Sequence, residues 1–283
     1  MRIAYVTAYD ANDRLNWSGL GYAIFRSLRA QGLDVTTIGP LANHFFQIGR
    51  TKHLLYRRLL GRSYDFERSA ILGYDYARQV KKQLEKGAYD IVFSPSTIPI
   101  SRLRCREPIA IWADATWACY FPHYGVEPHW CDETIKAGHI TERLAFNRCH
   151  LLIFTSQWAE NSAIRDYGVD PRKVRVVPFG ANFATPISRA RALCSISERP
   201  LDLCRLISVG VDWYRKGMPR SIELAAALNA AGQPTELTIV GCEAPPDAAL
   251  PSFVKIEGFI DKRSPEAERR LSSLCGRVEV HAF

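Results

Sequence analysis

Two adjacent cations, Arg215 and Lys216, stand in the segment Val209-Gly210-Val211-Asp212-Trp213-Tyr214-Arg215-Lys216-Gly217, between a short β-branched run and a helical pattern. In an open parallel sheet this places them beyond the carboxyl end of a strand, where ligands bind. A nucleoside diphosphate leaving group would be neutralised by two fixed positive charges there, which can do the work of a divalent metal by stabilising the negative charge that grows as a glycosidic C–O bond breaks. The alternative is two solvated residues in a βα loop. A second segment, Trp17-Ser18-Gly19-Leu20-Gly21, precedes an amphipathic helix. Gly19 and Gly21 let backbone approach a ligand, and the free N–H groups of a helix N-terminus attract anions; a plain helix-entry turn reads the same way. A third, Pro108–Trp117, leaves Asp114 just past an apolar strand, where it either accepts a proton from an acceptor hydroxyl, hydrogen-bonds a sugar, or caps the segment that follows.

Other chemistries fit less well. A nicotinamide dinucleotide fingerprint needs glycines directly after the first strand, a third glycine where Ile24 stands, and an acid ending DVTTIG; none is present. His123, His129, Cys131 and Asp132 are metal-ligand types at a spacing that matches no closed zinc pattern. Ser156 and Ser162 lie in no G-x-S-x-G elbow, so a hydrolase triad is set aside.

The elements that position these segments alternate regularly. The runs RIAYVT, DVTTIG, YDIVFS, PIAIWA, HLLIFT and VRVVP, then RLISVG, ELTIVG and VKIEG, read as strands separated by helical patterns over 19–31, 66–86, 132–147, 157–167 and 217–231. Ser264-Pro265-Glu266 opens another helix with a capping serine, proline at the first position and acid in the first turn. Such alternation implies βαβ units and an α/β fold with parallel sheets. Residues 184–200 break it and are expected to be a linker between an N-terminal domain over 1–183 and a second domain over 201–283. The second holds about three strands and three helices in a span shorter than the roughly 100–150 residues typical of a domain.

The chain has 283 residues, enough for about two domains at the usual prior of roughly 150 residues each. Its 47% hydrophobic and 23% charged content excludes disordered, collagenous and fibrous classes. No apolar run approaches the ~20 residues of a membrane span, and MRIAYVTAYD is no signal peptide, so a cytoplasmic location is expected. Eight widely spaced cysteines read as reduced and mostly buried. The net charge of +8 is uneven, with 24 Lys and Arg against 17 Asp and Glu over residues 1–183, and 13 against 12 over 184–283. Much of the excess lies in His44–Arg62, where Arg50, Lys52, Arg57, Arg58 and Arg62 stand among leucines and aromatics with no acid. That segment suits an anionic membrane surface or an acidic acceptor, or else a solvated helix face on a packed leucine stripe. Nucleic acid is not implied, because no zinc-finger, RRM or basic-zipper signature accompanies the charge.

Four stretches together resemble a known family: WSGLGYAIFRSLRAQGLDV, IWADATW, HLLIFTSQWAENSAIRDYGVDPRKVRVVPFGANF and LISVGVDWYRKGMPRSIELAAAL. They are similar to the GT-B glycosyltransferases of the group 1, family 4 type. The resemblance implies two Rossmann-like, doubly wound parallel-sheet domains and metal-independent transfer of a hexosyl unit from a nucleotide sugar, with anomeric configuration retained and no cofactor. The acceptor would be a glycan, a lipid or a small molecule. Independently of the resemblance, a membrane contact through the basic segment 44–62 would be peripheral, on the inner face. It further implies that Gly19 and Gly21 approach the donor's sugar diphosphate and that Arg215 and Lys216 hold its phosphates. Asp114 falls where many relatives place a histidine touching the transferred sugar and an SDAT-like subgroup keeps an aspartate.

The resemblance also implies a pair of glutamates seven residues apart, gripping sugar and ribose, after the next strand of the second domain. The sequence gives CGRVEVHAF and stops. The expectation is therefore a second domain that is incomplete through C-terminal truncation, with impaired turnover. The alternative is a non-catalytic fragment that binds an acceptor, a membrane or a partner.

Overall fold

The computed structural model describes residues 1–124, 129–180, 182, 188–199, 202–276 and 280–281. The expected linker thus lies partly outside the described residues, at 184–187 and 200, as do 277–279 and 282–283 of the final stretch. The chain forms two compact units, Met1–Gly180 and Ala181–Phe283.

Each β-branched run forms a strand. In the first unit, β1 (Arg2–Val6), β2 (Asp34–Ile38), β3 (Ile91–Ser94), β4 (Ile109–Ala113), β5 (Leu151–Phe154) and β6 (Val174–Val176) make a parallel sheet in the order β2-β1-β3-β4-β5-β6. The pleat sends alternate residues to opposite faces. Ala4 and Val6 of β1 and Ile109 and Ile111 of β4 join one buried cluster, while Ile3, Tyr5 and Ala110 join another on the reverse face. Helix α1 (Leu20–Ala30) covers the second cluster with Ile24 and Phe25. Helices α3 (Ala70–Leu84), α5 (Asp132–Arg148) and α6 (Gln157–Tyr167) cover the first, through residues such as Leu72, Phe146 and Ala163. Both faces buried is what near-continuous apolar strands require.

Two helices of this unit lie outside the helical spans read from the pattern, although a helix is one reading of 44–62. Helix α4 (Trp117–Tyr124) follows β4 directly. Helix α2 (Phe46–Leu60) is held down along a narrow face: Gly49 lies so close to Phe66 that a Cβ would come within 2.5 Å of its ring, His53 Nδ1 is 2.9 Å from the Tyr64 carbonyl oxygen, and the Tyr56 hydroxyl donates to Glu133 at 2.8 Å. The packed leucine stripe of the alternative reading is absent. Leu54, Leu55, Leu59 and Leu60 are exposed, Leu59 by 76%, because the side of α2 that meets the fold carries Gly49, His53 and Tyr56 instead.

In the second unit, β7 (Cys204–Val209), β8 (Thr235–Val240), β9 (Val254–Gly258) and a short β10 (Val280–His281) form a parallel sheet in the order β10-β7-β8-β9. Helix α8 (Met218–Ala230) packs Met218 and Ala225 on the face carrying Leu206, Leu237 and Ile239; α9 (Pro265–Gly276) packs Leu271 on the face carrying Ile207 and Val240. The Ser264 hydroxyl accepts from the Ala267 N–H at 3.4 Å, as the capping sequence predicts. A further helix, α7 (Arg189–Ser197), occupies the segment expected to be linker. The unit therefore shows four strands rather than three among the described residues, since the final stretch returns to the far side of β7.

All eight cysteines are free, with Cys119, Cys131 and Cys149 buried, Cys194 exposed and the other four half-buried, so fewer are fully buried than expected. Among the described residues no helix is long and apolar enough to cross a membrane.

Candidate functional site

In the second sheet, β8 and β9 lie on one side of β7 and β10 on the other, so the loop leaving β7 stands at the point where strand order reverses. Asp212 organises that loop. Its carboxylate accepts the Arg215 N–H at 2.8 Å and its carbonyl accepts the Lys216 N–H at 3.0 Å. The carbonyls of Trp213 and Tyr214 then accept from Met218 and Gly217, each at 3.0 Å, while the buried Trp213 ring anchors the turn in the core. Gly217, at φ 69°, reverses the chain into α8, whose first turn has no side-chain cap.

Two close approaches explain the glycines around this loop. The Lys216 stem passes over Gly210, where a Cβ would come within 2.4 Å of Lys216 Cγ. Gly241, after β8, has φ 107° and would bring a Cβ to 2.6 Å from the Gly210 carbonyl oxygen. Small residues thus flatten the carboxyl edge and lay the lysine along it. Gly241→Ala combines a conformation reserved for glycine with a backbone clash, and is expected to destabilise the second unit by about 2–3 kcal/mol, read as a lower melting temperature.

The expected cation couple is modified by a carboxylate. Arg215 Nε lies 3.7 Å from Asp212 Oδ2, whereas among the described residues the half-buried Lys216 meets no carboxylate. Asp212 thus competes with a ligand for the arginine and not for the lysine.

In the first sheet the order reverses between β1, whose next strand lies on one side, and β3 on the other. The Ser94 hydroxyl ties these two strand ends: its single proton is shared between the carbonyl oxygens of Val6 (2.9 Å) and Ser96 (2.7 Å). The loop after β1 enters α1 through three successive left-handed residues, Trp17 (φ 48°), Ser18 (φ 55°) and Gly19 (φ 79°). Only Gly19 adopts this without a steric cost; for Trp17 and Ser18 it is strain of about 1–2 kcal/mol per residue that surrounding contacts must offset. For Trp17 the contact is aromatic: its ring meets Phe179 edge-on at 5.6 Å, and Phe179 in turn lies 5.2 Å from Trp112 of β4. Trp112 Nε1 donates to the Val177 carbonyl at 3.0 Å.

This aromatic chain connects the loop bearing Gly19 to the strand that ends at Asp114. Phe179→Ala is expected to lower stability by about 1–3 kcal/mol and, because it releases Trp17, to raise limited-proteolysis cleavage within residues 10–19.

Gly21 has a second use besides approach to a ligand. A Cβ there would stand 2.2 Å from the Tyr9 hydroxyl, so the ring of Tyr9 occupies the room left by the missing side chain, and the Gly21 carbonyl accepts from the Tyr5 hydroxyl at 2.7 Å. The buried Tyr9 hydroxyl has no hydrogen-bond partner among the described residues, and burial pushes its pKa up to about 12.

Asp114 is exposed at the end of β4, and its carbonyl accepts from the Thr155 hydroxyl at 3.2 Å. Just behind it lies a buried group that sequence reading overlooked. Glu142 of α5, 5% exposed, accepts from the Thr97 hydroxyl at 2.6 Å and from the Trp117 N–H at 3.4 Å. Arg68 stacks 3.8 Å from the Trp117 ring centroid, 3.6 Å from Asp65. Burial pushes the Glu142 carboxyl up against the opposing field of Arg68. The other first-turn N–H groups of α4 are also taken by the protein: Ala118 donates to the Tyr167 hydroxyl (3.1 Å) and Cys119 to the Thr116 hydroxyl (3.3 Å). The N–H groups of Trp117, Ala118 and Cys119 are thus engaged within the protein, and the start of α4 is a fixed support for Asp114.

The set-aside constellations have structural employment. The Ser162 hydroxyl bonds Asp166 (2.7 Å) and Thr116 (2.6 Å), and Ser156 caps α6. The His129 carbonyl and Cys131 N–H pair with Ser63, and Asp132 with Arg62. The side chain of His123 lies outside the described residues. Among the described residues no three His, Cys, Asp or Glu side chains are grouped to hold a metal ion.

Comparison with known proteins bears on the whole chain. The family model for Glycosyltransferase Family 4 matches residues 22–184, a span that holds Asp114 and Glu142 and stops short of Gly19 and Gly21 on one side and of Arg215 and Lys216 on the other. Among solved structures, the fold is similar to that of sucrose-phosphate synthase from Thermosynechococcus elongatus, with TM-score 0.59 and 16% identity, over 99% of this chain and 74% of that one. It is likewise similar to the apo form of the lipopolysaccharide outer core galactosyltransferase WaaB, with TM-score 0.54 and 10% identity, over 99% of this chain and 73% of that one. These identities establish the fold, a GT-B architecture of two Rossmann-like units. A comparison with curated protein sequences finds no match.

Proposed function

Since the chain belongs to Glycosyltransferase Family 4, we propose that it moves a hexosyl unit from a nucleotide sugar to an acceptor hydroxyl with retention of anomeric configuration. The observation that carries this reading is the loop after β7, which offers the half-buried Lys216 and the Asp212-tethered Arg215 at the switch point of the second sheet. As the anomeric C–O bond breaks, its electrons pass to the departing diphosphate; the acceptor oxygen bonds the anomeric carbon and its proton passes to that diphosphate, while the two cations offset the remaining charge in place of a metal ion. Asp114 is assigned the hydrogen bonding of the transferred sugar. The left-handed run ending in Gly19 is assigned to the donor's sugar diphosphate, and Gly21 supports it by admitting Tyr9.

Calorimetric titration of the chain with UDP, GDP and ADP tests the reading. Micromolar binding of one of them is expected; silence with all three would favour a non-catalytic, acceptor-binding role. The same titration distinguishes the two functions of Asp212. Asp212→Asn keeps an acceptor for the Arg215 N–H and removes the competing charge, so it is expected to tighten nucleotide binding about two- to fivefold, the scale of one exposed ion pair. Asp212→Ala loosens the turn and is expected to weaken it.

A further inference from the structure

We propose that α2 docks the chain on an anionic phospholipid surface. The helix exposes Phe46, Ile48, Leu54, Leu55, Leu59 and Leu60. With 3.6 residues per turn, Ile48, Leu55 and Leu59 share one stripe and Arg50 and Arg57 another, with Leu54 and Arg58 on the arc between them, away from the packed Gly49–His53–Tyr56 face. Of the five cations in 44–62, Lys52 pairs with Glu133 and Arg62 with Asp132. Arg50, Arg57 and Arg58 are exposed and, among the described residues, meet no carboxylate.

So many large apolar side chains on one helix mark an interaction surface, and the charge selects the occupant. With no acid between 44 and 62, two copies of this chain would oppose like charges across the helix. An anionic bilayer instead takes the leucines into its acyl boundary and the arginine heads at its phosphates, the long stems lying along the apolar surface.

Co-sedimentation of the full chain with vesicles of phosphatidylcholine alone, and of phosphatidylcholine with phosphatidylglycerol, tests this. Pelleting with the anionic vesicles only, reversed by salt, is expected. Replacing all three of Arg50, Arg57 and Arg58 by glutamine is expected to lower vesicle partition about a hundredfold, at about fivefold per charge. The pair Leu55→Ser and Leu59→Ser should lower it more than tenfold with the charge intact. All five side chains are exposed, so far-UV circular dichroism should be unchanged. Equal pelleting with both compositions, or none with either, would overturn the proposal. So would a concentration-dependent dimer in sedimentation velocity that the serine pair abolishes in the absence of vesicle binding, which would assign the face to a second copy.

Discussion

Replacing Lys216 by alanine is expected to weaken nucleoside diphosphate binding about ten- to a hundredfold and to lower sugar transfer by more than tenfold. A hydrogen bond to a charged group contributes about 1.5–3 kcal/mol, which spans that range in a dissociation constant. The effect should exceed that of Arg215→Ala, because Asp212 already draws on the guanidinium at 3.7 Å while Lys216 has no such competitor among the described residues. The stem of Lys216 lies against Gly210, so the ammonium is oriented before ligand arrives and little freedom is lost on binding. Lys216→Arg should recover only part of the affinity, since a wide planar fork replaces a compact charge. The alanine variant removes no ion pair among the described residues, so its melting temperature should stay within a degree or two of the parent's. An affinity changed by less than about twofold would remove Lys216 from the donor site.

The second large effect concerns stability. Glu142→Ala leaves the Trp117 N–H and the Thr97 hydroxyl without their acceptor and empties a packed volume, a combination expected to cost about 3 kcal/mol. It also takes from Arg68, whose Nε and Nη1 are buried without hydrogen-bond partners among the described residues, one of two neighbouring carboxyl groups, leaving it Asp65. Glu142→Gln separates shape from charge.

Burial raises the folded-state pKa of Glu142 above its unfolded value. Between those two values the folded state holds the extra proton. The Glu142 contribution is therefore most favourable at acid pH, declines as pH rises from the ordinary carboxylate range to the raised value, and is level above it. Glutamine should abolish that slope and keep most of the neutral-pH stability. Thermal melts of the three proteins across pH 4 to 8, followed by far-UV circular dichroism, would show it. A parent and a glutamine variant with the same pH slope would contradict the assignment.

Much of this architecture is legible in the residues. Every β-branched run is a strand, and the helix read over 157–167 spans those residues, because local propensity, pleat and capping agree there. What escaped depends on distant partners. Helix α4 begins on N–H groups satisfied by Glu142 and Tyr167, more than twenty positions along the chain. The return of β10 to β7 likewise follows from tertiary pairing. The leucines of α2 look like a packed stripe, and it is the tertiary contacts of Gly49, His53 and Tyr56 that reveal which side is down.

At the site, the glycines and cations are visible in sequence, but the left-handed Trp17 and Ser18 are not, since neither residue type favours that region. Glu142 left a signal that periodicity could have caught. It stands with Thr134, Gly138, Thr141, Ala145 and Phe146 on the buried face of α5, a carboxylate where the 3.6-residue period calls for an apolar residue.

Whichever of UDP, GDP or ADP binds in calorimetry should be soaked into crystals of the chain. Diphosphate density within hydrogen-bonding distance of Lys216 Nζ and the Arg215 guanidinium is the predicted result. Density for the diphosphate anywhere else on the second unit, with the loop after β7 untouched, would contradict the central assignment.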